Sequence, residues 1–483
     1  MEYEVVIGLE IHVQLRTESK MFCGCSTRFG APPNTQTCPV CLGLPGALPV
    51  TNRRAVELGL RTALALGCTI HTRSQFHRKN YYYPDLPKNY QISQYQYLDH
   101  PPLATDGALE IETEGGRRRI GIRRVHLEED TGRLVHPEGA DVSYVDYNRS
   151  GVPLMEIVTY PDLRSPQEAR LFLLKLRQLL QYAEVSTGRM EEGTMRCDAN
   201  ISLRRPQEAL GTRTEVKNLN SLRSVERALQ YEVSRQRALL ERGEAVVQET
   251  RHWDERGGFT FASRTKEEAE DYRYFPEPDL VPIEVTPAWI EAVRNTLPEL
   301  PDARRDRLVA TYGLGRYEAE LVVATKFQAD FFEEAVRLYP SPRAIANWLV
   351  GDVAGYLNEH NLELEDLPIS PAHLSELVRL IEDGVISGRT AKDILPEILK
   401  TGARPSEIVE RRGLLQISDE EALRAIVRSV LADHPEPVQD VRKGKERAIG
   451  FLVGQVMKRT AGRANPGLVN RILREELERI TTA

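Results

Sequence analysis

Four of the six cysteines lie together near the start of the chain. Cys23 and Cys25 form a CxC pair, and Cys38 and Cys41 form a CxxC pair. Four thiolates at this spacing can close a tetrahedral zinc site, and the loop between the pairs, with Gly30 and adjacent prolines, favours a metal-binding knuckle. Four protein ligands leave no open position, so we expect a structural zinc that pins a loop. The alternative is four free thiols.

A second set of candidate ligands lies on the polar faces of predicted strands. Glu10 and His12 alternate with apolar residues in segment 7–15, which predicts a strand with both side chains on one face. Asp198 and Glu215 lie on strands predicted over 195–204 and 212–218. Carboxylates and imidazole that converge on a sheet face are suitable ligands for a Mg²⁺ ion that also holds nucleotide phosphates. The alternative is a set of solvated strand faces.

The segment 120–130 adds an imidazole and three carboxylates to this set. If the segment is extended, His126, Glu128 and Asp130 share one face and Glu129 points to the other. Only one of the two neighbouring glutamates should therefore face a shared site, unless a bulge interrupts the strand.

Basic residues near the same segments could neutralise the phosphates of a nucleotide. They are Arg123, Arg124, Arg149, Arg196 and Lys217. The chain has neither a GxxxxGK[ST] loop nor a GxGxxG fingerprint, so any nucleotide must be bound by a different arrangement. Segment 79–91 is rich in tyrosine and proline, and we expect a rigid loop that lines a polar site or packs on the sheet.

The elements that must position these residues change in type along the chain. Up to about residue 280 short alternating segments mix with a few helices, and beyond about 286 the pattern is almost wholly helical. One helix should begin at Ser165, with Pro166 in the first turn and Glu168 completing a capping box. Another should run over 222–242 and end at Gly243. The pattern predicts a mixed α+β domain followed by helical modules.

Composition favours a cytoplasmic globular protein. No apolar run reaches the length that spans a bilayer, and no basic segment followed by an apolar stretch opens the chain. The net charge of −7 gives no support for nucleic-acid binding, but the tail is locally basic. Between 442 and 474 the basic residues are Arg442, Lys443, Lys445, Arg447, Lys458, Arg459, Arg463, Arg471 and Arg474. Without further information this stretch could equally be a solvated helical face.

Taken in order along the chain, these segments resemble the B subunits of the glutamyl/aspartyl-tRNA amidotransferases, the GatB family. The likeness covers essentially the whole chain. The matching stretches are the cysteine knuckle, 79–94, and residues 8–15 (GLEIHVQL), 126–132 (HLEEDTG), 146–158 (DYNRSGVPLMEIV), 190–200 (MEEGTMRCDAN), 215–220 (EVKNLN), 272–279 (YRYFPEPD), 450–458 (GFLVGQVMK) and 462–466 (GRANP).

The resemblance implies an architecture of three domains. A catalytic cradle at 1–293 would carry an antiparallel sheet related to those of glutamine synthetase and the guanido kinases. An all-α helical domain at 294–404 and an all-α tail at 405–483 would follow, and both would hold tRNA.

The resemblance also implies a reaction. ATP would phosphorylate the side-chain carboxylate of Glu-tRNA(Gln), or of Asp-tRNA(Asn) in some organisms, and ammonia would then displace phosphate to give the amide. A free carboxylate is a poor acyl donor, and phosphorylation supplies a leaving group while Mg²⁺ stabilises the transferring charge.

Within this family the polar residues take expected roles. Glu10 and His12 are the first-choice Mg²⁺ ligands, joined by Glu128 or Glu129. The other candidate catalytic carboxylates are Asp198 and Glu215. The candidate phosphate-binding or ammonia-path residues are Lys79, Lys88, Arg149, Arg196 and Lys217. The candidate tRNA-binding residues of the tail are Lys443, Lys445, Lys458, Arg459 and Arg463.

The chain offers no evident nucleophile for releasing ammonia from glutamine. Four cysteines are assigned to the knuckle, Cys68 follows a helix end, and Cys197 falls on the apolar face of its strand. Ammonia should therefore come from a partner, and the family supplies an amidase-class A subunit together with a small C subunit. A tunnel between the subunits is expected.

Three other functions compete with this interpretation. A non-catalytic tRNA-binding scaffold would need the basic tail but no carboxylate cluster. A paralogue acting with a different glutaminase would carry an extra domain before the tail, for which the chain leaves little room. A free-standing metal-dependent hydrolase is supported only by the polar strand faces.

The basic tail generates a prediction about salt dependence. Replacing Lys443, Lys445 and Lys458 with Glu should weaken tRNA binding and flatten its dependence on salt, because each lost phosphate contact lowers the slope by about 1. Filter-binding titrations at several salt concentrations measure both quantities. Unchanged affinity together with an unchanged slope would contradict a phosphate-binding tail.

Overall fold

The computed structural model describes residues 3–95, 100–137, 139, 141–263, 272–415, 419–442, 447–460 and 462–482. The chain divides into two compact units, Met1–Leu300 and Pro301–Ala483. The described strands all lie in the first unit, and the helices lie mostly in the second. The expected α+β class is therefore confirmed.

The first unit is built around one large sheet. The described strands, in chain order, are β1 (Glu4–Gln14), β2 (Thr69–Ile70), β3 (Arg73–Ser74), β4 (Phe76–Asn80), β5 (Tyr90–Gln94), β6 (Ala104–Thr113), β7 (Gly116–Glu129), β8 (Arg133–Val135), β9 (Tyr144–Asp146), β10 (Pro153–Thr159), β11 (Met195–Arg204), β12 (Thr214–Leu219), β13 (Thr250–Asp254), β14 (Phe259–Ala262), β15 (Phe275–Pro276) and β16 (Ile283–Glu284).

Twelve of these strands form the main sheet, in the order β14-β13-β12-β11-β1-β10-β7-β5-β4-β15, with β6 beside β7 and β2 beside β6. The strands β12 and β13 pair in parallel, and the other described pairings are antiparallel. The remaining strands form two short antiparallel pairs, β16 with β3 and β8 with β9. β1 lies near the middle of the main sheet, so a residue on β1 has partners on both sides.

Helices cover one face of the sheet in the first unit and make up most of the second. The helices of the first unit are α1 (Arg53–Ala65), α2 (Pro166–Tyr182), α3 (Leu222–Glu241) and α4 (Pro287–Arg294). Those of the second are α5 (Pro301–Tyr312), α6 (Arg316–Val322), α7 (Lys326–Leu338), α8 (Pro342–Asn347), α9 (Ala354–His360), α10 (Pro371–Glu382), α11 (Gly388–Thr401), α12 (Pro405–Arg411), α13 (Glu420–Asp433), α14 (Pro435–Arg442), α15 (Arg447–Arg459) and α16 (Pro466–Thr482).

The second unit also contains a π-helical segment at Trp348–Val353, between α8 and α9, and a 3₁₀ turn at Leu364–Asp366. The four helices at its C-terminal end share a core of their own that includes Leu423, Val427 and Leu452. In the described parts of the chain, no helix combines the length and the apolarity that crossing a membrane requires.

The first unit has its core between the sheet and its helices. The apolar residues of β1 face this core, and Ile7, Leu9 and Ile11 are almost fully buried. On the helix side, Phe172 and Leu176 of α2 are fully buried in the same core. Because side chains alternate along a strand, burying one face leaves the other for polar residues.

Helix α2 begins where the sequence predicts. The Ser165 hydroxyl accepts a hydrogen bond from the Glu168 amide at 3.1 Å, and Pro166 stands in the first turn. The Glu168 carboxylate reaches back to the amide of Arg164 at 2.7 Å, one residue before the expected capping-box partner. It also pairs with Arg118 at 2.7 Å, so the helix start is tied to β7.

This cap can be tested by removing one hydroxyl. Ser165→Ala should lower the free energy of unfolding by about 1 kcal/mol, because the Glu168 amide loses its acceptor at the start of a buried helix. Urea denaturation followed by circular dichroism measures the change. Ser234→Ala on α3 is the control, because this hydroxyl donates only to the Gln230 carbonyl within the same helix. It should lower the free energy of unfolding much less. Equal effects of the two changes would contradict a capping role.

Candidate functional site

The polar face of the main sheet gathers side chains from adjacent strands. On one side of β1, Glu10 is paired with Asp198 of β11. On the other side, His12 is paired with Glu156 of β10, which is paired in turn with His126 of β7. Directly paired residues of antiparallel strands project to the same face. The register therefore brings two imidazoles and several carboxylates together, opposite the face that packs on the helices.

His12, Glu128 and Glu156 form the centre of this face. One ligand atom from each lies within 4.8 Å of the others, close enough to share one metal ion. His12 Nε2 lies 3.6 Å from a Glu128 carboxylate oxygen. Glu128 and Glu156 are both buried. An imidazole and two carboxylates are donors that bind divalent cations such as Mg²⁺ or Mn²⁺.

His126 supplies positive charge beneath this cluster. Its Nε2 lies 2.8 Å from Glu156 and 3.7 Å from Glu128. Burial alone would lower the pKa of His126, but the two carboxylates outweigh burial and raise that pKa to about 9. Burial acts on the two glutamates in the opposite sense and would raise each pKa, but the neighbouring imidazoles His126 and His12 hold both below their ordinary value. Glu128 and Glu156 are therefore held as carboxylate anions that face the imidazoles of His126 and His12.

Glu10 lies on the same face, beside rather than within the three-residue cluster. Its carboxylate accepts a hydrogen bond from the Asn200 side chain at 3.0 Å. Burial, together with the charges of Glu156 and Glu215, raises the pKa of Glu10. A cation beside Glu10 would therefore stabilise its ionised form.

Asp198 and Glu215 share a lysine further along the face. Lys217 Nζ lies 2.6 Å from Asp198 and 3.0 Å from Glu215. Burial would lower the pKa of Lys217, but the two carboxylates raise it well above its usual range. The structure therefore brings together three residues that the sequence predicted for this face.

Asp130 anchors the arginines at the other end of the face. It is buried, and it pairs with Arg196 at 2.9 Å and approaches Arg149 at 3.7 Å. The Gln14 side chain donates to it at 2.8 Å. Burial would raise the pKa of Asp130, but the two guanidinium groups hold it below its ordinary value. Two of the predicted phosphate-binding residues are thus held at the edge of the site.

Glu129 does not join the cluster. The regular alternation of β7 turns it to the opposite face from Glu128, where it pairs with Lys88 and accepts the Ile92 amide at 2.9 Å. A cavity of about 130 Å³ beside this pair is also lined by Cys41 of the cysteine knuckle. Of the four residues predicted to bind Mg²⁺, Glu129 is therefore the one that the fold separates from the others.

Tyrosines surround Lys79 near the same cluster. Lys79 Nζ lies 4.8 Å from the ring centroid of Tyr272 and 5.6 Å from that of Tyr81. Burial raises the pKa of both Tyr81 and Tyr274, and the negative charge of Glu128 acts in the same direction. Lys79 is thus held by aromatic faces at the border of the carboxylate cluster.

The cysteine knuckle has the geometry of a metal centre. Sulfur atoms of Cys23, Cys25, Cys38 and Cys41 all lie within 4.8 Å of one another. A tetrahedral ion with Zn–S bonds of about 2.3 Å needs sulfur atoms about 3.8 Å apart, and four thiols gathered this closely are a donor set that suits zinc. The Cys38 amide donates to the Cys41 sulfur at 3.2 Å, a contact that favours the thiolate.

Two clefts lie along the polar face of the sheet. The first, of about 560 Å³, is lined by Gln14, Arg149 and Arg196 and by the knuckle loop around Phe29. The second, of about 500 Å³, lies beside Glu10 at the other end of β1. Its polar lining includes Arg123, Asn200 and Arg213. Gln14 lines the first cleft and Glu10 the second, so His12 lies between the two clefts along β1.

The tail residues chosen from the sequence are only partly described. Lys458 and Arg459 lie in the last turn of α15. Arg459 contacts Ser429 at 2.8 Å and Asp433 at 2.7 Å, and Arg463 donates to the Thr460 carbonyl at 3.3 Å. Lys443 and Lys445 lie outside the described residues.

Glu156 was missed by the sequence analysis although it completes the cluster. Its strand, β10, is buried along its whole length, so period two gave no polar face to examine. The available signal was a lone carboxylate inside an otherwise apolar strand, which requires a partner when buried. Ser93 of β5, which donates to Glu128 at 3.0 Å, gave no signal of its own.

The chain matches two family models. Residues 5–291 match the GatB/GatE catalytic domain, and residues 330–477 match the GatB domain. Among curated proteins, the B subunit of the aspartyl/glutamyl-tRNA(Asn/Gln) amidotransferase from Caldanaerobacter subterraneus subsp. tengcongensis is 56% identical over 480 residues. The B subunit of the same name from Moorella thermoacetica is 57% identical over 480 residues. Both matches cover 99% of this chain and 100% of the relative.

The three-residue cluster predicts cation binding that can be measured directly. Glu156→Gln should weaken the binding of Mn²⁺ by about tenfold or more, because one anionic ligand is lost while the shape of the side chain is kept. Titration of free Mn²⁺ by electron paramagnetic resonance gives the affinity. Glu110→Gln, on the exposed side of β6, is the matched control and should leave the affinity unchanged. Equal affinities for the two variants would exclude Glu156 as a ligand.

Proposed function

The chain belongs to the GatB family of tRNA-dependent amidotransferase B subunits, and we propose that the polar face of its sheet is where ATP activates the substrate carboxylate. The chain is part of a ligase-type amidotransferase of protein biosynthesis, which amidates mischarged Glu-tRNA(Gln) or Asp-tRNA(Asn) with partner subunits.

The observation that carries the proposal is the convergence of His12, Glu128 and Glu156 between two clefts. A reaction between ATP and an esterified amino acid needs two substrates to meet at one cation. The clefts of about 560 and 500 Å³ leave room for the nucleotide on one side and for the aminoacyl end of tRNA on the other. Along β1, His12 of the cluster lies between Gln14, which lines the first cleft, and Glu10, which lines the second, and the transferring phosphoryl group would be held there.

The donor set fits Mg²⁺, which when bound there would neutralise charge on the transferring phosphoryl group. His12, Glu128 and Glu156 would hold the ion, with Glu10 as a further carboxylate on the same face. His126 keeps Glu128 and Glu156 in place by pairing with both. Asp198 and Glu215, which are joined through Lys217, would act as further carboxylates on the same face.

The basic residues of the face would bind phosphate by exchanging partners. Arg149, Arg196 and Lys217 are now paired with carboxylates. Each could reach toward phosphate oxygens while keeping part of its present contact, since guanidinium and ammonium groups offer several donors. The site thus contains cationic groups that could bind phosphate, and each of them is paired with a carboxylate in the meantime.

Ammonia would arrive from a partner, and Lys79 and Lys88 would line its path or hold phosphate. We assign its release to an amidase-class A subunit, with a small C subunit tying the two together. Lys79 lies among tyrosines, and Lys88 pairs with Glu129 on the opposite side of β7 from Glu128. The two lysines therefore approach the reacting region from different faces.

Several further assignments follow from family membership. We propose ATP and Mg²⁺ as cofactors, a structural Zn²⁺ in the cysteine knuckle and a cytoplasmic location. We also propose a cradle domain at 1–293 related to glutamine synthetase and guanido kinases, a helical domain at 294–404 and a tRNA-binding tail at 405–483. In the tail the proposed contacts are Lys443, Lys445, Lys458, Arg459 and Arg463.

The test is reconstitution of the complex with its partner subunits, ATP, glutamine and mischarged Glu-tRNA. Glu156→Gln should lower the rate of amide formation by roughly 10²-fold or more, because charge stabilisation at the transferring group is lost. Filter binding of tRNA should remain at the wild-type level. Analysis of the amino acid released from tRNA measures the product.

The control is Glu110→Gln, which should leave both activities unchanged. Normal amidation by Glu156→Gln would contradict the assignment of this face to carboxylate activation. If tRNA binding persisted as well, the chain would be a tRNA-binding scaffold whose catalytic site lies elsewhere in the complex.

A further inference from the structure

Lys20 is a fully buried lysine at the base of the cysteine knuckle. Its side chain is 0% exposed. The Nζ atom donates to the Gln36 carbonyl at 2.7 Å, to the Tyr147 carbonyl at 3.3 Å and to the Cys41 sulfur at 3.5 Å. All three hydrogens of an ammonium group thus have a named acceptor.

The charge of a buried Lys20 ammonium group needs a counter-charge nearby. Within the described residues, no carboxylate lies within 4.0 Å of its Nζ, and two of its acceptors are neutral carbonyls. A buried ammonium group without an anion is costly, and burial normally disfavours its charged form. The remaining contact, to the Cys41 sulfur, balances this charge only if the sulfur is a thiolate. Negative charge on the knuckle sulfurs would therefore match a buried ammonium group at Lys20.

A metal-bound set of four cysteines provides that charge. One divalent ion with four thiolates is a dianion, which itself needs cationic groups nearby when it is half-buried. The Lys20 ammonium and the Cys38 amide both donate to the Cys41 sulfur. The cost of burying the lysine and the cost of burying the dianion therefore offset each other.

We propose that Lys20 is the counter-charge of a metal–thiolate centre and ties that centre to the loop 145–151 beside the polar face. The inference rests on the proposed metal in the knuckle and not on the assignment of the carboxylate cluster. Lys20 is a positioning residue, since it would act on the site through the cysteine centre and through the loop.

The loop 145–151 is joined to the knuckle by several hydrogen bonds besides that of Lys20. The Asn34 side chain donates to the Val145 carbonyl at 3.0 Å and accepts the Tyr147 amide at 2.7 Å. The Asn148 side chain accepts the Gln36 amide at 2.8 Å. These bonds span more than a hundred residues of sequence, so they join the knuckle to a distant part of the chain.

The far end of this loop packs directly on the centre. Gly151 has φ +85°, and a Cβ there would lie 3.4 Å from Cys41 Cβ and 3.5 Å from Lys20 Cδ. The Gly151 amide donates to the Asp130 carbonyl at 2.8 Å, and its carbonyl accepts the Met21 amide at 2.7 Å. Arg149 lies in the same loop, so loss of the centre should loosen an arginine at the edge of the polar face.

The direct test measures metal retention in Lys20→Met and Lys20→Gln. Met removes the charge and the hydrogen bonds, whereas Gln keeps a donor for the carbonyls but no charge. Competition with a chromogenic zinc chelator should show zinc affinity at least tenfold lower in both variants. Lys175→Met on α2 is the matched control and should retain zinc as the wild type does.

A second readout separates charge from packing. Without a cation beside Cys41, protons compete better with zinc for the thiolates, so both variants should release zinc at higher pH than the wild type. A lysine that serves only to fill space and bond carbonyls would leave this pH unchanged in Lys20→Gln. The pH at the midpoint of zinc release therefore distinguishes a counter-charge from a residue that only fills space and bonds carbonyls.

A measurement on the unaltered chain guards against variants that do not fold. Removal of zinc from the wild-type protein should accelerate hydrogen exchange in residues 145–151 as well as in the knuckle. Unchanged exchange in that loop, or wild-type zinc affinity in a folded Lys20→Met, would overturn the inference. A wild-type protein that takes up no zinc would instead refute the proposed metal, which keeps the two failures distinct.

Discussion

The alternation of side chains along neighbouring antiparallel strands decides which groups can meet in this protein. With β1 between β10 and β11, one face of the sheet packs on helices and the other gathers His12, Glu128 and Glu156. A slip of one residue in any of these pairings would bury the polar set in the core and expose the apolar one. The burial of the core face therefore stabilises the register on which the candidate site depends.

Charge on the polar face is compensated within the chain. His126 is paired with Glu128 and Glu156, Lys217 with Asp198 and Glu215, and Arg196 with Asp130, while Glu10 remains a carboxylate of raised pKa. Carboxylates held this close in a half-buried site repel one another unless cations lie between them. The same compensation would suit uptake and release of the metal ion and polyphosphate that we propose for this site.

Much of this arrangement follows from the sequence, and the remainder depends on pairing. Period two placed Glu10 with His12 and separated Glu128 from Glu129, and the cysteine spacing indicated the knuckle. Glu156 could not be found in this way, because its strand is apolar on both faces. Which strands lie side by side depends on contacts between distant segments, so neither the joining of β1 to β10 nor the bond from Lys20 to the loop 145–151 is visible in local sequence patterns.

We propose that one divalent cation binds between strands β1, β7 and β10. The most direct measurement is anomalous X-ray scattering from crystals of the heteromeric complex grown with Mn²⁺ and a non-hydrolysable ATP analogue. The account predicts a manganese peak within bonding distance of His12, Glu128 and Glu156, with the terminal phosphate of the analogue on the same ion. A manganese peak elsewhere in the complex, with these three side chains bound only to one another, would contradict it.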